Sequence, residues 1–113
     1  CAPCRREMPA LDRLQAKLGG KDFFVLALSQ DRKGPAVVNA FLQQIGVSNL
    51  TVYVDPTSRS ARAFGAYGLP ATVLLDRQGR ALGRMVGPAE WDSQDALRLF
   101  RHFIAQAAAG RKS

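Results

Sequence analysis

Cys1-Ala2-Pro3-Cys4-Arg5-Arg6-Glu7-Met8-Pro9 opens the chain, and the rest is organised around it. Cysteines at i and i+3 can be joined only where the backbone brings their Cα atoms to about 5 to 6 Å, as the first turn of a helix does. Pro3 suits that turn, because its missing N–H would have had no intrahelical partner. The spacing therefore suits a disulfide on a helix running from about Pro3 to Leu18. Met8, Leu11, Leu14 and Leu18 form its apolar stripe. Pro9 is expected to kink it, and Gly19-Gly20 to end it with left-handed residues.

A helix N-terminus directs unpaired N–H groups and about half a positive charge at the first cysteine. Arg5 and Arg6 add to that charge. A thiol pKa lowered from about 8.5 to about 7 raises the thiolate fraction at neutral pH from roughly 3% to roughly half. Cys1, at the exposed end, is the expected attacking sulfur, and Cys4, one turn inside, the resolving one. A structural staple is the plainer alternative, but a loop of about four residues constrains the unfolded chain by only about 2 kcal/mol. A zinc site needs four ligands, and His102 is the sole further candidate of the Cys and His type, so no metal or cofactor is expected beyond the disulfide itself.

At 113 residues, 47% hydrophobic and 22% charged, the chain has the composition of one globular domain. The net charge of +7 raises a nucleic-acid partner. Its arginines are scattered and no basic run is interleaved with aromatics, so nucleic acid is not expected. Acidic partners or anionic lipid surfaces are the milder inference. No apolar run approaches the roughly 20 residues that span a bilayer. A targeting or membrane-anchoring segment is placed upstream of Cys1.

Phe23 to Leu28 is an unbroken apolar run, expected as a parallel strand buried on both faces. After a polar turn at Ser29 to Gly34, Pro35 opens a second helix with Val37, Val38, Phe41, Leu42 and Ile45 inward, closed by Gly46. Thr51 to Val54 is a short strand, and Asp55-Pro56-Thr57 starts a short helix carrying Ala61 and Phe64. Ala71 to Leu75 and Arg80 to Val86 flank a hairpin turn at Asp76-Arg77-Gln78-Gly79. A last helix begins at Asp92 or Ser93 and runs to about Ala109, leaving 110–113 as a loose tail.

CAPC on a proline-containing helix, GLPATVLLDRQGR before a hairpin and GPAEWDS before the final helix resemble the thioredoxin fold. Within it they are most similar to the TlpA/ResA-like thiol-disulfide oxidoreductases, from Cys1 to about Phe103. The resemblance implies an α/β fold of three layers, helix, mixed sheet, helix. It makes Cys1 and Cys4 the redox pair and Pro70 a cis-proline facing them. Leu69, with Ala2 and Pro3, would then contact an extended substrate segment. Glu7 matches an acidic residue that transfers protons or tunes a thiol pKa, the alternative being a solvated side chain beside Arg6. Trp91 is expected to be structural, and His102 to lie at the surface.

In that family a strand precedes the first cysteine and lies mid-sheet, and here it is absent. The facing edges of Phe23–Leu28 and Ala71–Leu75 should then lose their partner, leaving a slot in the core and a poorly stable chain. A piece of a longer protein is the expectation, unless the sheet closes up or borrows a strand through its exposed edges. By resemblance, the chain exchanges thiols and disulfides with bacterial proteins. It would act as a periplasmic or membrane-anchored reductant in cytochrome c or oxidase assembly, supplied by a membrane thiol carrier. The alternatives are a non-catalytic thioredoxin-like module that binds a partner, and a peroxiredoxin-like peroxidase, which would need a threonine near Cys1.

Overall fold

The computed structural model describes residues 1–30, 34–66 and 68–111. In order these form α1 (Ala2–Leu18), β1 (Leu26–Ser29), α2 (Pro35–Ile45), β2 (Thr51–Val54), α3 (Arg59–Ala63), β3 (Ala71–Leu75), β4 (Ala81–Val86) and α4 (Gln94–Arg111). This is the element order expected from the sequence. The turn expected at Ser29 to Gly34 falls partly on 31–33, and the end of the expected tail on 112–113, both outside the described residues.

The strands form two sheets rather than one. β1 pairs with β2 in parallel, Leu26 opposite Thr51 and Ser29 opposite Val54. β3 pairs with β4 antiparallel, Ala71 opposite Val86, with a bulge where Leu74 meets Gly83 and Leu75 meets Ala81. No ladder joins β1 to β3, so the sheet has not closed across the expected slot. A parallel pair and an antiparallel pair are both present, and among the described residues no strand joins them.

That gap limits the core. The chain exposes 7686 Å², against roughly 6,100 Å² expected for a folded protein of this mass. Leu14, Trp91 and Phe100 are the buried centre, with Leu11 and Leu18 of α1, Phe23, Val25, Leu74 of β3 and Leu97 of α4 packed around them. Phe100 stacks obliquely on Phe23 at 5.3 Å and on Trp91 at 6.2 Å between centroids.

Several sequence expectations are corrected here. β1 starts at Leu26, not Phe23, and is not buried on both faces: Leu26 and Leu28 are exposed. Two strands make too narrow a sheet to be covered on both sides. For the same reason Val37 of α2 is exposed and only Val38 is buried. Gly19 is extended, at φ −60° and ψ 142°, so α1 ends without a left-handed residue, its Gly19 N–H donating to the Gln15 carbonyl. α4 continues through Gly110 to Arg111 rather than loosening there.

Other terminators follow the sequence. Gly46 at φ 73° supplies the left-handed close of α2, a conformation that penalises any side chain. The Ser93 hydroxyl accepts the Ala96 N–H at 3.2 Å and caps α4. Two side chains then fix α1 in place. Buried Asp12 accepts the Ser48 and Asn49 backbone N–H groups at 3.2 and 2.7 Å, tying α1 to the loop after α2. Gln15 Oε1 accepts the Val25 N–H at 2.7 Å, tying it to the segment before β1.

Candidate active site

Cys1 and Cys4 are joined as a disulfide with their Cα atoms 5.3 Å apart. Cys1 is the N-cap of α1, and its sulfur accepts the Cys4 N–H at 3.3 Å. Cys1 is exposed and Cys4 is partly covered. No acidic residue occupies the first turn to offset the helix dipole. The Arg5 guanidinium lies 5.0 Å from the centroid of Phe41 on α2, a cation–π contact that joins the start of α1 to α2.

Glu7 is buried, not solvated beside Arg6. Its Oε2 accepts the indole N–H of Trp91 at 2.9 Å and the backbone N–H of Ala89 at 3.4 Å. Trp91 thus has the structural burial expected of it and one polar bond that the sequence did not disclose. Eighty-four residues separate the two partners, so periodicity could not have paired them.

Beside this contact an open cleft of about 650 Å³ runs between α1 and the 88–93 segment, lined by Pro3, Glu7 and Ala10 and walled by charged residues of both sides. Arg13 bridges it to Asp92 at 2.7 Å. The hydrogen bond from Arg13 holds the Asp92 carboxyl below the usual carboxylate range, and the same bond raises the Arg13 guanidinium.

The Leu69–Pro70 peptide bond is cis. Pro70 is buried at the start of β3, where its carbonyl accepts the Gly87 N–H at 2.8 Å. Leu69 is half exposed. Ala2 is exposed on the first turn. Among the described residues no hydrogen bond joins Leu69 or Pro70 to the disulfide. His102 is exposed, with Nε2 3.2 Å from the Gln106 side-chain amide. Arg13, Phe41, Ala89 and Asp92 were missed by sequence reasoning. The GPAEWDS stretch bears on Ala89 and Asp92, and Asp92 also stands at the expected start of the last helix.

The sequence model of the AhpC/TSA family matches residues 1–81. The chain belongs to that family. Within this thioredoxin-like family, the chain is 31% identical over 87 residues to thiol-disulfide oxidoreductase ResA of Bacillus thuringiensis (strain Al Hakam), covering 77% of the chain and 49% of that protein. It is 36% identical over 90 residues to the thiol:disulfide interchange protein DsbE homolog of Paracoccus denitrificans (strain Pd 1222), covering 78% and 46%. The crystal structure of a putative thiol:disulfide interchange protein DsbE from Chlorobium tepidum superposes with a TM-score of 0.78 at 31% identity, over 92% of this chain and 72% of that one. The chain spans about half the length of the curated relatives it matches. The fold is thus thioredoxin-like, and the relatives are of the thiol-disulfide exchange kind. Among the described residues no helix is long and apolar enough to cross a membrane.

Proposed function

We propose that the chain exchanges thiols and disulfides with protein substrates through Cys1 and Cys4. The observation that carries this is the disulfide itself, whose exposed sulfur is the N-cap of α1. In the reduced pair, the Cys1 thiolate attacks one sulfur of a substrate disulfide. A mixed disulfide forms, and the other substrate sulfur leaves as a thiolate that takes up a proton. The Cys4 thiol then gives up its proton and attacks Cys1 Sγ, releasing the second substrate sulfur and closing the Cys1–Cys4 bond. Two electrons have passed from the pair to the substrate. A thiol donor must return them, and the family resemblance makes that donor a membrane carrier.

Leu69 supports the binding half of the reaction. Half exposed before the cis bond, it can offer its backbone to an extended substrate segment, strand against strand. Ala2 and Pro3 lie on the turn that such a segment would cross. The reductive direction, the extracytoplasmic setting and service in cytochrome c or oxidase assembly are what the family resemblance implies for this chain.

Reduction of insulin by the wild-type chain and by Cys1→Ser, with dithiothreitol as electron source, tests the proposal. The wild type is expected to accelerate precipitation of the insulin B chain and Cys1→Ser to run at the uncatalysed rate. Equal rates in both would remove the enzyme and leave a partner-binding module.

A further inference from the structure

The chain carries 16 lysines and arginines against nine acidic residues, and the fold occupies most of the acidic ones. Glu7 and Asp12 are buried on hydrogen-bond donors. Asp55 holds its own turn, accepting the Ser60 N–H at 2.8 Å. Asp22, Asp76, Asp92 and Asp95 are each paired with an arginine. Among the described residues only Glu90 remains as an exposed carboxylate outside these contacts.

The cations left over include the two residues that follow the redox pair. Arg5 and Arg6 are exposed, the first turn of α1 holds no acidic residue, and among the described residues neither arginine has an ion pair. A helix sets a neutralising partner three or four positions along, where Arg5 has Met8 and Pro9 and Arg6 has Pro9 and Ala10. Arg98, by contrast, has Asp95 three residues before it. Glu7, next to Arg6 in the chain, is committed to Trp91 and Ala89. The two arginines face different neighbours. Arg5 lies over the Phe41 ring of α2, 5.0 Å from its centroid, and Arg6 lines the cleft toward the 88–93 segment. Stacking uses the face of a guanidinium and leaves its edge N–H donors open to a carboxylate.

We infer that Arg5 and Arg6 select the substrate, favouring disulfides flanked by aspartate or glutamate in an extended protein segment. The inference rests on the exchange reaction proposed above and concerns its substrate class. Arg5 and Arg6 stand about 6 and 8 Å beyond Cys1 along the axis of α1, a span that two or three extended residues cover at about 3.3 Å each. Carboxylates there form charge-assisted pairs with the guanidinium groups. The sulfur chemistry is unchanged; the encounter is what they favour. An anionic membrane, the other acidic surface that a net charge of +7 suits, would engage exposed Lys17 and Lys21 as readily. Lys17 lies about 18 Å from Arg5 along α1, well past the screening length of about 8 Å at physiological salt.

The test uses two synthetic peptides, each closed by one disulfide and identical except that aspartates flank the cysteines in one and asparagines in the other. The readout is the ratio of their rates of reduction by the reduced chain, divided by the same ratio for dithiothreitol, which removes the peptides' own difference in reactivity. A change in the thiolate fraction of Cys1 acts on both peptides alike and cancels. The wild type is expected to favour the aspartate peptide about tenfold at low salt, with the preference disappearing near about 1 M salt. Arg5→Gln/Arg6→Gln is expected to bring the ratio within about twofold of one, and Lys17→Gln/Lys21→Gln to keep the wild-type ratio. A wild-type ratio of one would overturn the inference, and so would equal losses in the two variants, the mark of a general field and not a local site. Sedimentation with phosphatidylglycerol vesicles reads the membrane alternative. Vesicle binding lost in Arg5→Gln/Arg6→Gln while the peptide ratio stays would also overturn it. Should that variant not fold, Arg6→Gln decides alone, with a drop of about threefold expected and an unchanged ratio contradicting the assignment. No reduction of either peptide by the wild type would look different from all of these, removing the exchange reaction and the inference with it.

Discussion

A Cys4→Ser chain, reduced and then presented with a disulfide-bonded protein, is expected to accumulate as a covalent complex through Cys1. Cys1→Ser is expected to form none. The asymmetry follows from the helix. Cys1 is the exposed N-cap whose sulfur accepts the Cys4 N–H, whereas Cys4 lies one turn inside and partly covered. In the wild type the mixed disulfide is short-lived because Cys4 is tethered next to it, with the Cα atoms 5.3 Å apart in the product. A well-oriented intramolecular thiol acts at an effective concentration far above any free thiol. Its replacement by serine should therefore lengthen the life of the complex on the order of a thousandfold or more. Non-reducing gels and mass spectrometry of the trapped species read both the yield and the sulfur involved. Trapping through Cys4 in Cys1→Ser, at the same yield, would reverse the assignment.

Leu14→Ala is expected to cost about 2 to 5 kcal/mol of stability, a large share of the 5 to 15 kcal/mol typical of a domain. Among the described residues Leu14 is the most deeply buried apolar one, at 2% exposure, and it joins α1 to Trp91 and Phe100. With two split sheets, little else replaces it. β4 is exposed along its whole length, and Val86 reaches 65%. Thermal unfolding followed by circular dichroism should show a midpoint lower by roughly 10 °C or more. Leu99→Ala, on the exposed side of α4, should move it little. A small shift for Leu14, or equal shifts for both, would mean that the core lies elsewhere.

What the sequence disclosed and what it withheld divide along the range of the interactions. The start of α1 was legible because Cys1, Pro3 and Cys4 act within one turn. The β3–β4 hairpin was legible because Asp76 organises its own turn, accepting the Gln78 and Arg80 N–H groups at 2.9 Å. The cis state of Leu69–Pro70 came from resemblance, since nothing local demands it. Glu7 was noticed by resemblance, but its burial and its bond to Trp91 depend on how α1 meets the 88–93 segment. The outward exposure of Leu26 and Leu28 was hidden for a related reason. Their apolar run reads as a buried strand, and only the two-stranded width of the sheet turns those side chains to solvent. Gly19 shows the limit of residue type alone, because glycine permits the left-handed conformation without requiring it.

The equilibrium of the Cys1–Cys4 pair against glutathione buffers, read by trapping free thiols and weighing the products, tests most directly that this disulfide is a working electron carrier. The expected result is one two-electron transition within the span of the thioredoxin-like exchangers, about −120 to −270 mV. A pair that stays oxidised in buffers poised below about −300 mV, as structural disulfides do, would contradict it.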